Sequence, residues 1–325
     1  MPSPPKTRST AAALGNIVVT GGAGFIGSHL CEALLDRGDR VTCVDNLVGT
    51  GGIPRTVEQL LDHPRFVLVT EDVVDWAAQA DLTRTACVFH QAASKNTVCR
   101  EDPERDLLVN ALGALRVARA AARDGVPKLV HASTGSVFGE AATASAEVEP
   151  GRPVSYYGVS KLAGESYLAI VAAASELDYT VLRYYHVIGT RQDSSDAGGV
   201  VPIFAHRALA GLPLIVHGDG EQTRSFTSVR DVVQANLLAA QSPQLRRRAV
   251  TCASGVRVSI NQLAEYVNRQ TGNSAGVEHA PARPGDIAHF DVDPAPLRSL
   301  GLDFDTDWRA TVDGVIASMA QRQVA

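Results

Sequence analysis

Residues 18–30 read VVTGGAGFIGSHL and place Gly21, Gly24 and Gly27 between a β-branched run, NIVVT (16–20), and a segment of helical period (24–37). The first glycine permits a tight turn, the second lets an anion approach the backbone, and the third lets the helix pack close to the strand. The helix N-terminus then attracts a pyrophosphate. Three glycines alone would equally fit a turn that holds nothing. Their context adds weight, because the next run, RVTCVD (40–45), ends at Asp45, where a carboxylate can accept hydrogen bonds from the adenosine ribose of a dinucleotide. A carboxylate repels a 2′-phosphate, and no arginine follows it within residues 46–50. NAD is therefore expected rather than NADP. Phe25 and Ile26 within the turn, Asn46 beside Asp45, and Ala92 and Ala93 after the fourth strand complete the expected cofactor contacts. Asp72 with Val73, after the third strand, is placed to reach the adenine, although an exposed turn residue would read the same way.

Outward from that turn the chain keeps alternating. Apolar runs at 65–70, 86–91, 128–133 and 180–185 are separated by helical patterns such as 106–122 and 157–174. Nearly continuous apolar strands spaced by helices predict a parallel sheet covered on both faces, a Rossmann-type doubly wound α/β core. Past about residue 190, Gly and Pro clusters (198–199, 211–213, 282–285) interrupt shorter elements, and helical period returns at 229–240 and 260–270. The expected organisation is a disordered tail over 1–14, then an NAD-binding domain over 15–190 that carries the catalytic residues. Residues 191–325 are expected to form mainly a smaller, interleaved substrate-binding lobe, with some segments returning to the core.

The 325 residues carry 30 Lys and Arg against 35 Asp and Glu, a net charge of -5, with no like-charge run longer than Arg246–Arg248. Nucleic acid is an unsuitable partner for such a surface. The five cysteines are scattered, with no C-x-x-C and no histidine at metal-ligand spacing. They read as buried thiols in a reduced compartment, and no metal is expected. No apolar run approaches the roughly 20 residues of a membrane helix. The N-terminal MPSPPKTRSTAAAL lacks the apolar core of a signal peptide. A cytoplasmic protein is expected.

The stretch YYGVSK (156–161) adds chemistry. Only four lysines occur, Lys6, Lys95, Lys128 and Lys161, so one placed four residues after Tyr157 is a choice of function as well as of charge. Residues four apart share a helix face, which brings the Lys161 ammonium near the Tyr157 phenol. A nearby cation favours phenolate and lowers a pKa ordinarily near about 10, the more so when an oxidised nicotinamide adds its charge. Tyr157 is then a candidate general base. The bland alternative is a pair that stabilises a surface helix.

With HQAA (90–93), DP (102–103) and Asn110, HASTGSVFGE (131–140), LRYYHVIGTRQ (182–192), HGDGEQTRSFTSVRDVV (217–233) and RPGDI (283–287), these residues resemble the extended short-chain dehydrogenases/reductases. Within that group they are most similar to the NAD-dependent nucleotide-sugar epimerases and dehydratases, from Asn16 to about Leu302. The resemblance implies that hydride leaves the sugar's C4 while Tyr157 takes the hydroxyl proton. It implies that Thr134 hydrogen-bonds that hydroxyl and that Lys161 holds the nicotinamide ribose. Arg224 and Arg283 match arginines that bind the nucleotide diphosphate, a task that suits a guanidinium. Val200, Gly135 and Ser136 are counted with the substrate site on the same ground. A homodimer is implied, through the helices around 106–122 and 157–174.

Members of this group diverge at the two positions after Thr134. The 4,6-dehydratases resemble T-D-E there and the uronic acid decarboxylases T-S-E, whereas this chain has Gly135 and Ser136. Neither is a carboxylic acid, so elimination lacks its acid and base. Epimerisation needs only that the 4-keto sugar turn over in the pocket, and Gly135 and Ser136 are expected to leave room for it. A UDP-hexose 4-epimerase of the UDP-glucose/UDP-galactose type is therefore expected. Its rivals are a dehydratase that draws an acid from Cys99 or Lys95, recognised by a product lighter by one water, and a silent NAD-binding regulator. The intact Thr134, Tyr157 and Lys161 oppose the regulator.

The chain departs from the family at Phe138, at Thr190 and at His186, which stands where asparagine commonly contacts substrate. His186 is read as a substrate ligand, a proton carrier or a packed histidine. Lys95 either touches substrate or reaches solvent. Asp193 stands where members that handle uronic acids carry an arginine, so a carboxylated sugar is expected to meet repulsion. Phe290 aligns with the residue that limits pocket size, and its bulk favours glucose and galactose over N-acetyl sugars.

Overall fold

Strands whose residues are buried along their length need cover on both faces, and the central runs of this chain are of that kind. All four residues of Cys87–His90 and all seven of Lys128–Thr134 are buried. The computed structural model describes residues 12–139, 151–195, 198–283, 288 and 292–324. The strands β1 (Asn16–Thr20), β2 (Arg40–Val44), β3 (Phe66–Val69), β4 (Cys87–His90), β5 (Lys128–Thr134), β6 (Asp178–Tyr184) and β7 (Arg248–Cys252) form one sheet. Their order is β7-β6-β5-β4-β1-β2-β3, with every pairing parallel.

The helices that position the site are α1 (Phe25–Asp36), α2 (Val73–Gln79), α3 (Gly113–Arg123), α4 (Tyr156–Ala173), α5 (Val200–Leu209), α6 (Val229–Gln241), α7 (Ile260–Thr271) and α8 (Trp308–Val324). On one face of the sheet, Leu30 and Leu34 of α1 and Val232 and Ala235 of α6 pack with Val19, Phe89 and Val130. On the other, Trp76, Val117 and Leu168 from α2, α3 and α4 meet Val18, Val88 and Leu129. The result is the doubly wound Rossmann arrangement, and its strand order reverses between β1 and β4. Ligands of such sheets bind in the crevice beyond the strand C-termini at that reversal.

Two elements differ from the sequence pattern. The expected helix over 106–122 is divided into a π-helical stretch, Leu107–Leu112, and α3; π turns often accompany functional sites. Strand β7, RAVTC, extends the sheet beyond β6 although it lies far along the chain. A separate core of Val201, Phe204, Leu263, Val267, Trp308 and Val312 joins α5, α7 and α8 in the smaller lobe.

The tail needs correction at its end. Leu14 and Gly15 donate their N–H groups to Asp39 Oδ1 at 2.5 and 2.9 Å, and Arg37 Nη2 donates to the Ala12 carbonyl at 2.7 Å. The Asp39 carboxylate is fully buried and requires donors, so residues 12–14 are anchored. Residues 1–11 lie outside the described residues. Among the described residues, no helix is long and apolar enough to cross a membrane.

Candidate active site

At the strand reversal, β1 turns at Gly21 with φ of 67°. A Cβ there would stand 2.5 Å from Ala92 N, so the turn crosses the segment after β4 backbone to backbone. A Cβ on Gly27 would stand 2.1 Å from Gly21 O, and its absence seats α1 against the turn. Gly24 begins α1 without a side-chain cap, which leaves the first-turn N–H groups for an anion. Asp45 Oδ2 accepts from Ala23 N–H at 3.0 Å and Oδ1 from Leu47 N–H at 2.8 Å. Burial lifts the Asp45 carboxyl above its usual range, and these two N–H groups pull it back. Each oxygen retains acceptor capacity toward a ribose. Phe25 lies edge-on to His29 at 6.0 Å, and Ile26 packs on the core beside it.

Asp72 caps α2 by accepting from Val74 N–H at 2.9 Å, with Val73 buried behind it. Its other oxygen accepts from Asn46 Nδ2 at 2.9 Å and Arg105 Nη2 at 2.6 Å. Ala92 N–H lies 3.4 Å from Thr20 Oγ1, and Ala93 is exposed.

The residues expected to handle the proton meet where β5 ends and α4 begins. Ser155 caps α4 by accepting from Gly158 N–H at 3.1 Å. A Cβ on Gly158 would lie 2.5 Å from Ser136 O, so only glycine lets this first turn press onto the turn at Gly135–Phe138. The Tyr157 hydroxyl is thereby hydrogen-bonded to Thr134. Thr134 Oγ1 accepts from Ser136 N–H at 3.1 Å and donates to Ser136 Oγ at 3.2 Å. Glu165, one turn beyond Lys161, pairs with Arg183 of β6 (Nη2 to Oε2, 2.6 Å) and accepts from Ser133 Oγ, which fixes α4 to the sheet.

Lys161 is buried, and its ammonium has no hydrogen-bond partner among the described residues. Burial pushes its pKa down to about 8, against the pull of Glu165, Asp106 and Cys99. Tyr157 departs from expectation: its pKa is raised, by burial and then by the charges of Cys99 and Asp106, with the Thr134 hydrogen bond opposing. Spacing alone placed Lys161 near the phenol but did not reveal the carboxylate beneath. Asp106 Oδ1 receives Asn110 Nδ2 at 2.5 Å, Cys99 Sγ at 2.7 Å and Ser160 Oγ at 3.0 Å. The four-residue interval from Asp106 to Asn110 was the available signal. An orphaned ammonium, an uncapped helix start and a carboxylate with spare acceptors fit a dinucleotide: Lys161 toward the nicotinamide ribose, α1 toward the pyrophosphate, Asp45 toward the adenosine ribose.

On the substrate side, Lys95 Nζ pairs with Asp193 Oδ2 at 2.8 Å, both partly exposed. The Asp193 carboxyl would be lifted by burial, but Lys95 and the Ser195 hydrogen bonds hold it below its usual range. His186 has a left-handed φ of 38° and stands edge-on to Phe226 at 6.4 Å. Burial, with the Arg224 charge, pushes its pKa down to about 3, which favours a neutral imidazole. Arg224 is buried, with Nη1 donating to the Thr223 carbonyl at 2.9 Å; Arg283 is exposed. Val200 begins α5. Phe290 and residues 284–287 of the RPGDI motif lie outside the described residues.

Gly135 does not open space for the sugar. Tyr185 Cε1 and Cζ lie 2.1 and 2.2 Å from where its Cβ would stand, so a buried ring already fills that side.

A doubly wound sheet with this dinucleotide turn and a Thr-Tyr-Lys set on β5 and α4 defines an extended short-chain dehydrogenase/reductase that uses NAD. The chain belongs to the NAD dependent epimerase/dehydratase family, whose model matches residues 17–252. The UDP-glucose 4-epimerase of Mycolicibacterium smegmatis is 35% identical over 294 residues, which span 87% of this chain and 91% of that protein. The crystal structure of a Thermotoga maritima UDP-glucose 4-epimerase with UDP-glucose matches with a TM-score of 0.87 at 32% identity, covering 95% of this chain and 99% of that one. A UDP-glucuronic acid 4-epimerase from Bacillus cereus, in complex with UDP-glucuronic acid and NAD, matches with a TM-score of 0.86 at 26% identity, covering 94% and 99%. Nucleotide-sugar epimerase chemistry is thus the common ground of fold, site and relatives.

Proposed function

We propose that the chain interconverts the C4 epimers of UDP-glucose and UDP-galactose, with NAD retained through each turnover. The observation that carries this reading is an intact Thr134, Tyr157 and Lys161 set followed by two positions, Gly135 and Ser136, that hold no acid. NAD, held by the Gly21–Gly27 turn, Asp45 and Lys161, would supply a hydride acceptor and donor for C4. Tyr157 Oη takes the C4 hydroxyl proton and gives it back after the 4-keto sugar has presented its other face, with Thr134 Oγ1 orienting that hydroxyl. Burial raises the Tyr157 pKa, so the phenolate that this step needs would depend on positive charge brought beside it, that of Lys161 together with the oxidised nicotinamide. Arg224 and Arg283 serve the diphosphate, with Val200, Ser136 and neutral His186 serving the rest of the substrate.

Among the described residues, the two acids weighed for elimination are poorly suited to give a proton. The Cys99 thiol is pushed up to about 12 by burial and by its hydrogen bond to Asp106, and Lys95 is engaged by Asp193. A hydroxyl-bearing neutral sugar suits the Lys95 and Asp193 pair, since it can accept from one and donate to the other. A second reading, UDP-glucuronic acid, is favoured by Lys95, a cation at the site edge that a sugar carboxylate can take from Asp193. Incubation with UDP-glucose, UDP-galactose, UDP-N-acetylglucosamine and UDP-glucuronic acid, followed by mass spectrometry and proton NMR, separates these readings. An inverted C4 proton at unchanged mass in the two neutral hexoses is expected. Loss of water or carbon dioxide would overturn the epimerase reading, and turnover of UDP-glucuronic acid alone would select the second.

We also propose a homodimer through α4 and the helical segment 107–123. Tyr156, Val159, Tyr167 and Ile170 of α4, with Leu107 and Leu108, present exposed apolar side chains that a monomer would leave in water. Light scattering should give a dimer for the wild type and a monomer for Ile170→Asp; a wild-type monomer would refute it. Five buried free thiols support a reducing compartment, the cytoplasm; fractionation that found the protein elsewhere would overturn that assignment.

A further inference from the structure

Thr134 pairs with Tyr184 at the last rung between β5 and β6, so Gly135 and Tyr185 are the residues that follow directly beyond the two strand ends. There the Tyr185 ring occupies the position of a side chain at 135, with ring carbons 2.1 and 2.2 Å from an ideal Cβ. The ring is held at its far end too, because the Tyr185 hydroxyl is hydrogen-bonded to Thr251 on β7. Val137, Phe138 and Ala253 pack around it, and only 3% of the residue is exposed. The chain then turns into the site through the left-handed His186.

We propose that Tyr185 is a specificity-determining and positioning residue, filling the side-chain slot of position 135 and so keeping an acid out of it. The same contact holds Thr134 and His186, which flank the paired strand ends, at a fixed separation. Because the ring is pinned by Thr251 and its packing, it cannot swing aside for a carboxylate without releasing the turn at His186. The residue that position 135 can carry is therefore set by Tyr185 across the strand ends as well as by position 135 itself, while Ser136 is fixed separately. This inference rests on the 4-epimerase reading.

The test is a double-mutant cycle on wild type, Gly135→Ala, Tyr185→Leu and the double variant, with Gly135→Ala/Tyr185→Phe as a second background. Measured quantities are kcat, KM and Tm. Gly135→Ala is expected to lower kcat at least about 30-fold with KM changed by less than about threefold, since the displaced Thr134 acts in the chemical step. The double variant with leucine should recover to within about fivefold of wild type, because the methyl then has space. The phenylalanine background should show no recovery, because its ring remains. Losses that multiply in the leucine double variant, or wild-type kcat in Gly135→Ala, would overturn the proposal. If the Gly135→Ala variant fails to fold, recovery of folded active protein by Tyr185→Leu supports the proposal and continued misfolding refutes it. The wild-type arm tests the underlying reading separately. Absence of a C4 epimer sinks that reading, and the cycle is then scored on hydride uptake by the cofactor, read from its near-ultraviolet absorbance.

Discussion

Lys161 is held in a condition that does not favour folding. An ammonium with no partner inside the protein loses hydration without recovering it, which is why its pKa falls from 10.5 to about 8. Lys161→Met should raise the Tm of the cofactor-free protein by roughly 2–5 °C and abolish turnover. The sign follows from linkage. The unfolded chain binds this proton more tightly, so the penalty is largest below pH 8 and fades as pH rises from 8 toward 10.5. Calorimetry across that range should show the difference between variant and wild type closing at high pH; a lower Tm for Lys161→Met at pH 7 would contradict the account. At this scale the sequence singled out Tyr157 and Lys161 by residue type and spacing and Thr134 by its motif, and the structure brings the Tyr157 hydroxyl to Thr134. It was silent on Tyr185, whose contact joins two segments that spacing does not relate, and for Asp106 it offered only the four-residue interval to Asn110.

Among the elements, α4 does most to assemble the site, and its entry depends on one missing side chain. Gly158→Ala would set a methyl 2.5 Å from Ser136 O and push the first turn of α4 away from the Gly135–Phe138 turn. Misplacement of Tyr157 by less than about 1 Å costs on the order of 10–100-fold in rate. Steady-state kinetics should therefore show kcat reduced by about that factor with KM little changed, and an unimpaired kcat would mean that the turn yields freely. The first six strands were readable because they carry short, largely apolar runs spaced by helical patterns. Strand β7 was not, since five residues beside an arginine run give little periodicity. The division of the helix over 106–122 was equally hidden, because a π stretch and an α-helix share the same apolar pattern.

For the molecule as a whole, acid stability depends on buried imidazoles. Burial pushes His90 and His186 down to about 3 and His131 well below its ordinary 6.5, with Lys161 and Arg224 adding repulsion. All three fold neutral. Their contribution is present in full above pH 6.5 and is lost as pH falls from 6.5 toward 3, because the unfolded chain takes up protons that the folded chain refuses. His90 and His186 should each cost about 2 kcal/mol of stability by pH 5, and His131 acts in the same direction. Urea unfolding at pH 7 and pH 5 should show that decline, reduced by one imidazole's share in His131→Leu. Equal stability at the two pH values would refute the assignment.

The return of α6 and β7 to the large sheet, after the chain has already started the smaller lobe, makes the two lobes inseparable as genetic units. A cut near residue 190 would strip α1 of its covering helix and expose the edge of β6. Exchange of the C-terminal part with that of a relative would import a strand of the cofactor sheet together with the sugar contacts. A chimera joined near residue 190 is thus expected to disturb the large sheet, whereas point changes at the crevice leave both lobes whole.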